Sequence, residues 1–252
     1  MYVRQQLLAE EERLTKTSQE VERKQGKIDA LESTIARQDV GIKEDMAILA
    51  SWRQKLYDME LARDICTYLQ KEVPMLPVMK DSFNSIYLTI FYAQKYEKIY
   101  QQKYPSLSQF LSWKTCIQVI WIESRFNLFA HGHYSELGET QVPEYNNFRL
   151  KDGSVNPKKT MNLYPMLCKL GYKKYSYAAT IDYFVNNPEP QINCFYDEFV
   201  GKLKDTGGNF IAAVVAYNGA KVDPENSGYW LSYLKAQHRF NVWYDDVETK
   251  LK

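Results

Sequence analysis

The stretch Trp121-Ile122-Glu123-Ser124-Arg125-Phe126-Asn127 sets one carboxylate, Glu123, at the end of a strongly apolar run. A carboxyl group held against apolar walls resists ionisation, because burial disfavours its charged form. Ile120, Trp121 and Ile122 would supply such walls. A carboxylic acid kept neutral near neutral pH can hand a proton to a bridging oxygen, such as that of a glycoside. Two later stretches are candidates to complete a site around it: Gly138-Glu139-Thr140-Gln141 and Ala216-Tyr217-Asn218-Gly219-Ala220.

These stretches stand in a fixed order. Glu123-Ser124-Arg125-Phe126-Asn127 comes first, then Ala130 and Gly138-Glu139-Thr140-Gln141-Val142-Pro143. Pro188-Glu189-Pro190-Gln191-Ile192 is third, and Ala216-Tyr217-Asn218-Gly219-Ala220 is last. Together they resemble the E-S-x-F-N, G-L-M-Q, P-E-x-N-I and A-Y-N-A-G motifs of the soluble lytic transglycosylase (SLT) family, over about residues 80–240. The resemblance implies a mainly α, lysozyme-like catalytic domain of the goose type. It implies Glu123 as sole catalytic acid/base and Ser124 as a residue lining the site. Gln141 matches a substrate-binding amide, with Thr140 beside it. Tyr217 matches a tyrosine whose hydroxyl faces the catalytic carboxyl, and Asn218 a loop residue that shapes the cleft. The implied substrate is the peptidoglycan glycan strand, cut between N-acetylmuramic acid and N-acetylglucosamine. The product would carry a 1,6-anhydromuramic acid end. No metal or cofactor is implied. Attack by water instead would make the chain a lysozyme.

The chain also departs from the family pattern. Ser135-Glu136-Leu137-Gly138 replaces G-A-x-G, and Glu139-Thr140 replaces L-M, so an apolar platform turns polar. Phe195 stands where a glycine is usual, and Lys221-Val222 replaces the glycine-proline after A-Y-N. Glu136 and Glu139 add two accessory carboxylates near the expected cleft, either of which could activate water. His131 and His133 form an H-x-H without a third ligand at suitable spacing, so no metal site is expected there.

The elements that must position these residues can be read in outline. From Leu7 an apolar residue recurs every seven positions: Leu14, Val21, Ile28, Ile35, Ile42, Leu49 and Leu56. That register is a coiled-coil signal. Its second seam is polar at Glu10, Thr17, Lys24, Gln38 and Asp45 and apolar only at Leu31, Trp52 and Met59. The coil through residues 7–59 therefore needs self-association or a partner helix. One helix over residues 4–72 would reach ~100 Å; a hairpin bent near Gly41 is the alternative. Pro74 and Pro77 end this region, because proline stops a helix. The expected division is a coiled-coil region 1–73 and a lysozyme-like domain 74–252. Within the latter, helices are expected from Asp81 or Ser82 to Tyr104, from Pro105 to Glu123, and over 163–170, 175–184, 192–203, 210–217 and 229–239. A small hairpin fits within 128–150.

Composition bounds the partners. A net charge of +1 gives no footprint for nucleic acid or an acidic membrane surface. No apolar run is long enough to span a bilayer, and the N-terminus lacks the pattern of a signal peptide. Twenty tyrosines suit both a helical core and contact with sugar rings. Cys66 and Cys116 lie in apolar helical settings as thiols; Cys168 and Cys194 would pair only if the fold brings them together. The coil without a signal sequence points to a virion-borne enzyme, such as one in a phage tail, or a periplasmic, envelope-associated one. A coiled-coil assembly protein with an inactive glycan-binding head is the competing expectation.

Overall fold

The computed structural model describes residues 2–72, 82–127, 130, 136–137, 140–143, 163–172, 177–219 and 223–252. The chain is mainly α. Its helices are α1 (Tyr2–Glu72), α2 (Ser82–Lys103), α3 (Trp113–Glu123), α4 (Leu163–Lys169), α5 (Tyr177–Val185), α6 (Pro188–Asp205), α7 (Phe210–Tyr217) and α8 (Gly228–Lys250). Two-residue strands β1 (Glu136–Leu137) and β2 (Val142–Pro143) pair antiparallel, with Leu137 opposite Val142. Among the described residues no helix is long and apolar enough to cross a membrane.

The chain divides into two compact units, Met1–Lys55 and Leu56–Lys252. The expected boundary at 73/74 falls outside the described residues. The division lies instead inside α1, because the last turns of that helix carry core residues: Leu61, Ala62, Ile65 and Cys66 are buried. In the first unit α1 passes through Gly26 and Gly41 without interruption, so the bent hairpin is not formed. Its seam residues Leu14, Val21, Ile28, Ile35, Ile42 and Leu49 are 47–67% exposed.

The second unit is built around α3. Thr115 through Trp121 are all buried, as expected of a helix that is apolar nearly all round. Helices α2, α6 and α8 enclose it. Residues 105–110 form a 3₁₀ segment rather than the start of α3. The chain then restarts at Ser112, whose side chain accepts the Lys114 N–H and caps the helix. α6 begins at Pro188, four residues earlier than expected. Pro188 and Pro190 both fit its first turn, where no backbone N–H is needed. α8 runs eleven residues beyond Arg239, carried by Phe240, Tyr244 and Val247 on the face of Tyr233 and Ala236. All four cysteines are free: Cys194 is fully buried and Cys168 exposed, so the two do not pair.

Glu97 ties α2 to the start of α3. Its Oε1 accepts the Trp113 N–H at 3.3 Å, near the positive end of the helix dipole. Burial nevertheless raises its pKa, against the opposing pull of that N–H, Lys98 and Lys114. A raised folded-state pKa means that the folded chain binds more protons than the unfolded one. Its stability contribution is present below the ordinary value and is lost as pH rises through the folded one. Glu97→Gln keeps an acceptor without the charge. Its Tm relative to wild type should therefore climb as pH rises above about 4.5; thermal melts across that range would check the sign.

Candidate active site

Glu123 is the last residue of α3, and its side chain is half-buried. The carbonyl end of a helix is the negative end of its dipole, a poor place for a carboxylate. The compensating group comes from α8: the Tyr229 hydroxyl donates to Glu123 Oε1 at 2.5 Å. Ser227 caps α8 by accepting the Tyr229 N–H, which fixes the first turn of the helix that carries this hydroxyl.

The chain reverses directly after Glu123. Ser124 caps the helix, and its hydroxyl donates back to the Ile120 carbonyl at 3.3 Å. Arg125 and Phe126 then both adopt left-handed backbone, with φ of 56° and 62°. Each such non-glycine residue costs on the order of 1 kcal/mol. Two contacts offset that cost. Phe126 is fully buried against Trp121, and the Arg125 guanidinium lies 4.6 Å over the Trp121 ring. Trp121 itself meets Phe240 and Trp243 edge-on and Tyr68 at a tilt.

The second, third and last sequence stretches meet beside this helix end. The Tyr217 hydroxyl, at the end of α7, donates to the Thr140 carbonyl at 2.9 Å. The Thr140 hydroxyl donates in turn to the Gln191 carbonyl of α6 at 3.4 Å, and the Gln191 side chain donates to the Phe184 carbonyl. Phe195 and Phe199 pack on the Tyr217 ring. Burial first, and then the nearby Glu123 charge, push both the Tyr217 and Tyr229 phenols up, so each remains a hydroxyl donor. Asn218 is exposed and ends α7, and Gly219 follows with a φ of 77° that suits glycine. Gln141 has a φ of 49° in the turn before β2.

The hydroxyl bound to the Glu123 carboxyl is that of Tyr229, not Tyr217, whose hydroxyl is committed to the Thr140 backbone. Thr140 is completely buried, so its side chain braces the turn against α6 rather than facing a ligand. Tyr229 carries no motif; its one sequence signal is its place just after a serine cap. Glu136 lies in β1, and Glu139, His131 and His133 fall outside the described residues. Among the described residues no three His, Cys, Asp or Glu side chains converge to hold a metal. Compared with protein-family models, curated proteins and solved structures, the chain matches none.

If the Tyr229–Glu123 bond is charge-assisted, Tyr229→Phe should destabilise the chain by about 1.5–3 kcal/mol, whereas Tyr217→Phe should cost about 1 kcal/mol. Coupling between Tyr229→Phe and Glu123→Gln in a denaturation double-mutant cycle would measure the pair. A coupling near zero would show that the two groups do not interact.

Proposed function

We propose that the chain cleaves the β-1,4 bond between N-acetylmuramic acid and N-acetylglucosamine in peptidoglycan, with Glu123 as its single acid/base. The observation that carries this reading is Glu123 at the end of an enclosed helix, fixed by Tyr229, with the Thr140–Gln141 turn and Tyr217 alongside. These are the stretches whose order resembles the lytic transglycosylases, and they come together in space although Glu123 and Tyr217 lie 94 positions apart. The lysozyme-like fold belongs to the same proposal.

The steps follow from one carboxyl group. In its acid form Glu123 gives its proton to the bridging oxygen, and the glycosidic bond breaks with its electron pair on the leaving sugar. The positive charge that develops on the muramic acid ring is stabilised by the substrate's own acetamido group, so a second enzyme carboxylate is not required. Glu123, now a carboxylate, takes the proton of the 6-hydroxyl, whose oxygen closes the 1,6-anhydro ring. The hydrogen bond from Tyr229 to Oε1 fixes the carboxyl plane through both transfers. Ser124, Gln141 and Asn218 would contact the glycan. Glu136 or Glu139 could direct water to the same centre, which would turn the outcome into hydrolysis.

The exposed seam of α1 supplies placement. Its apolar residues are those a coiled coil would bury, so residues 7–59 would join a second copy or a partner helix. That would set the enzyme within a larger assembly, a virion or an envelope-associated machine. A second reading, a head that binds glycan without cutting it, is favoured by one observation: the Glu123 carboxyl is already engaged by Tyr229.

Zymography in peptidoglycan-containing gels separates the two. Wild type should clear the gel, and Glu123→Gln should lose at least about 10³-fold in activity, the scale of a proton-transfer catalyst. No clearing by folded wild-type protein from acid to neutral pH would contradict the enzyme reading and leave the binding one.

A further inference from the structure

A cavity of about 450 Å³ opens in the Leu56–Lys252 unit, beside the end of α3. Its size falls within the roughly 300–1,000 Å³ of ordinary ligand pockets. Three cations line it: Arg125 from the turn after α3, and Lys235 and Arg239 from α8. One carboxylate, Glu72, also lines it, and is exposed. Among the described residues, no ion pair joins it to any of the three cations.

The guanidiniums are held in place. Arg239 lies 4.2 Å over the Tyr68 ring and 5.7 Å over Trp121, on which Arg125 also stacks. The Arg125 guanidinium also donates to the Trp121 carbonyl. Two like charges thus face the same aromatic ring, at a mutual electrostatic cost. Burial and then the charge of Arg239 lower the Arg125 pKa, as expected of two neighbouring cations. A fold that only needed aromatic packing there could use neutral side chains. Two planar forks and an ammonium converging on one cavity form the chemistry that recognises an oxyanion.

We propose that this cavity binds a carboxylate- or phosphate-bearing ligand, with Arg125, Arg239 and Lys235 on its anionic group and the aromatic edges of Tyr68 and Trp121 on its apolar part. The site does not rest on the glycan-cleaving reading. It lies along the α8 face that begins with Tyr229 and runs through Ser232, Ala236 and Arg239, next to the end of α3.

The test is calorimetric titration of the full chain with three probes: inorganic phosphate, N-acetyl-alanyl-alanine, and the C-terminal amide of that dipeptide. At least one anion should bind and the amide should not. Binding of phosphate alone would identify a phosphate ligand, and binding of the dipeptide acid alone a peptide carboxylate. Arg239→Gln should weaken binding by about 10-fold or more, as expected for loss of a charge-assisted hydrogen bond. Lys235→Gln, at an exposed position, should weaken it less and leave the fold intact. Arg239→Lys should restore part of the affinity. The site is refuted if neither anion binds at millimolar concentration, if the amide binds as well as the acid, or if Arg239→Gln and Lys235→Gln both bind like wild type. The readout is binding alone, so this outcome and the clearing of peptidoglycan gels stand or fall separately.

Discussion

The constraint on which the second unit depends is the enclosure of α3. A helix with apolar groups on every side has no face to offer water, so neighbours must cover all of it. Helices α2, α6 and α8 do so. The consequence for chemistry is direct: the C-terminal end of such a helix lies in the protein, and the residue there meets packed side chains before it meets solvent. Glu123 holds that place, and Trp121, two positions earlier, is the ring onto which the following turn and α8 both close.

Two tyrosines connect this helix end to the rest of the unit by different routes. Tyr229 reaches it through a side-chain carboxyl. Tyr217 reaches the neighbouring turn through a backbone carbonyl, and Thr140 passes the connection on to α6. The first bond acts on the group that would react. The second positions the Gln141 turn and would act on the reaction through that turn. Phe195 strengthens that second route. It is fully buried beneath Tyr217 and stacks on Phe199, so its ring becomes part of the support for Tyr217.

Much of this arrangement was legible in the residues. The burial of α3 up to Glu123 followed from its apolar composition, and the extent of α7 from Phe210 to Tyr217 from its apolar run. The heptads marked one long helix. Other features were not legible, for identifiable reasons. Prolines at 188 and 190 read as a loop, yet they fit the first turn of a helix. The charged end of α8 hid an apolar stripe that continues to Val247. Tyr229 was missed because its role depends on where α8 lies against α3, which no local pattern encodes. The burial of Thr140, whose hydroxyl is bonded to a carbonyl of α6, was not legible for a related reason: it depends on where α6 lies.

The central claim is that Glu123 breaks a glycosidic bond and then closes the 1,6-anhydro ring. Mass spectrometry of the fragments that the full chain releases from purified peptidoglycan tests it most directly. The account predicts muropeptides one water lighter than reducing-end fragments, absent when Glu123→Gln is used. Fragments with reducing ends would instead show a hydrolase acting through water. The absence of any released fragment from folded protein would contradict the claim outright.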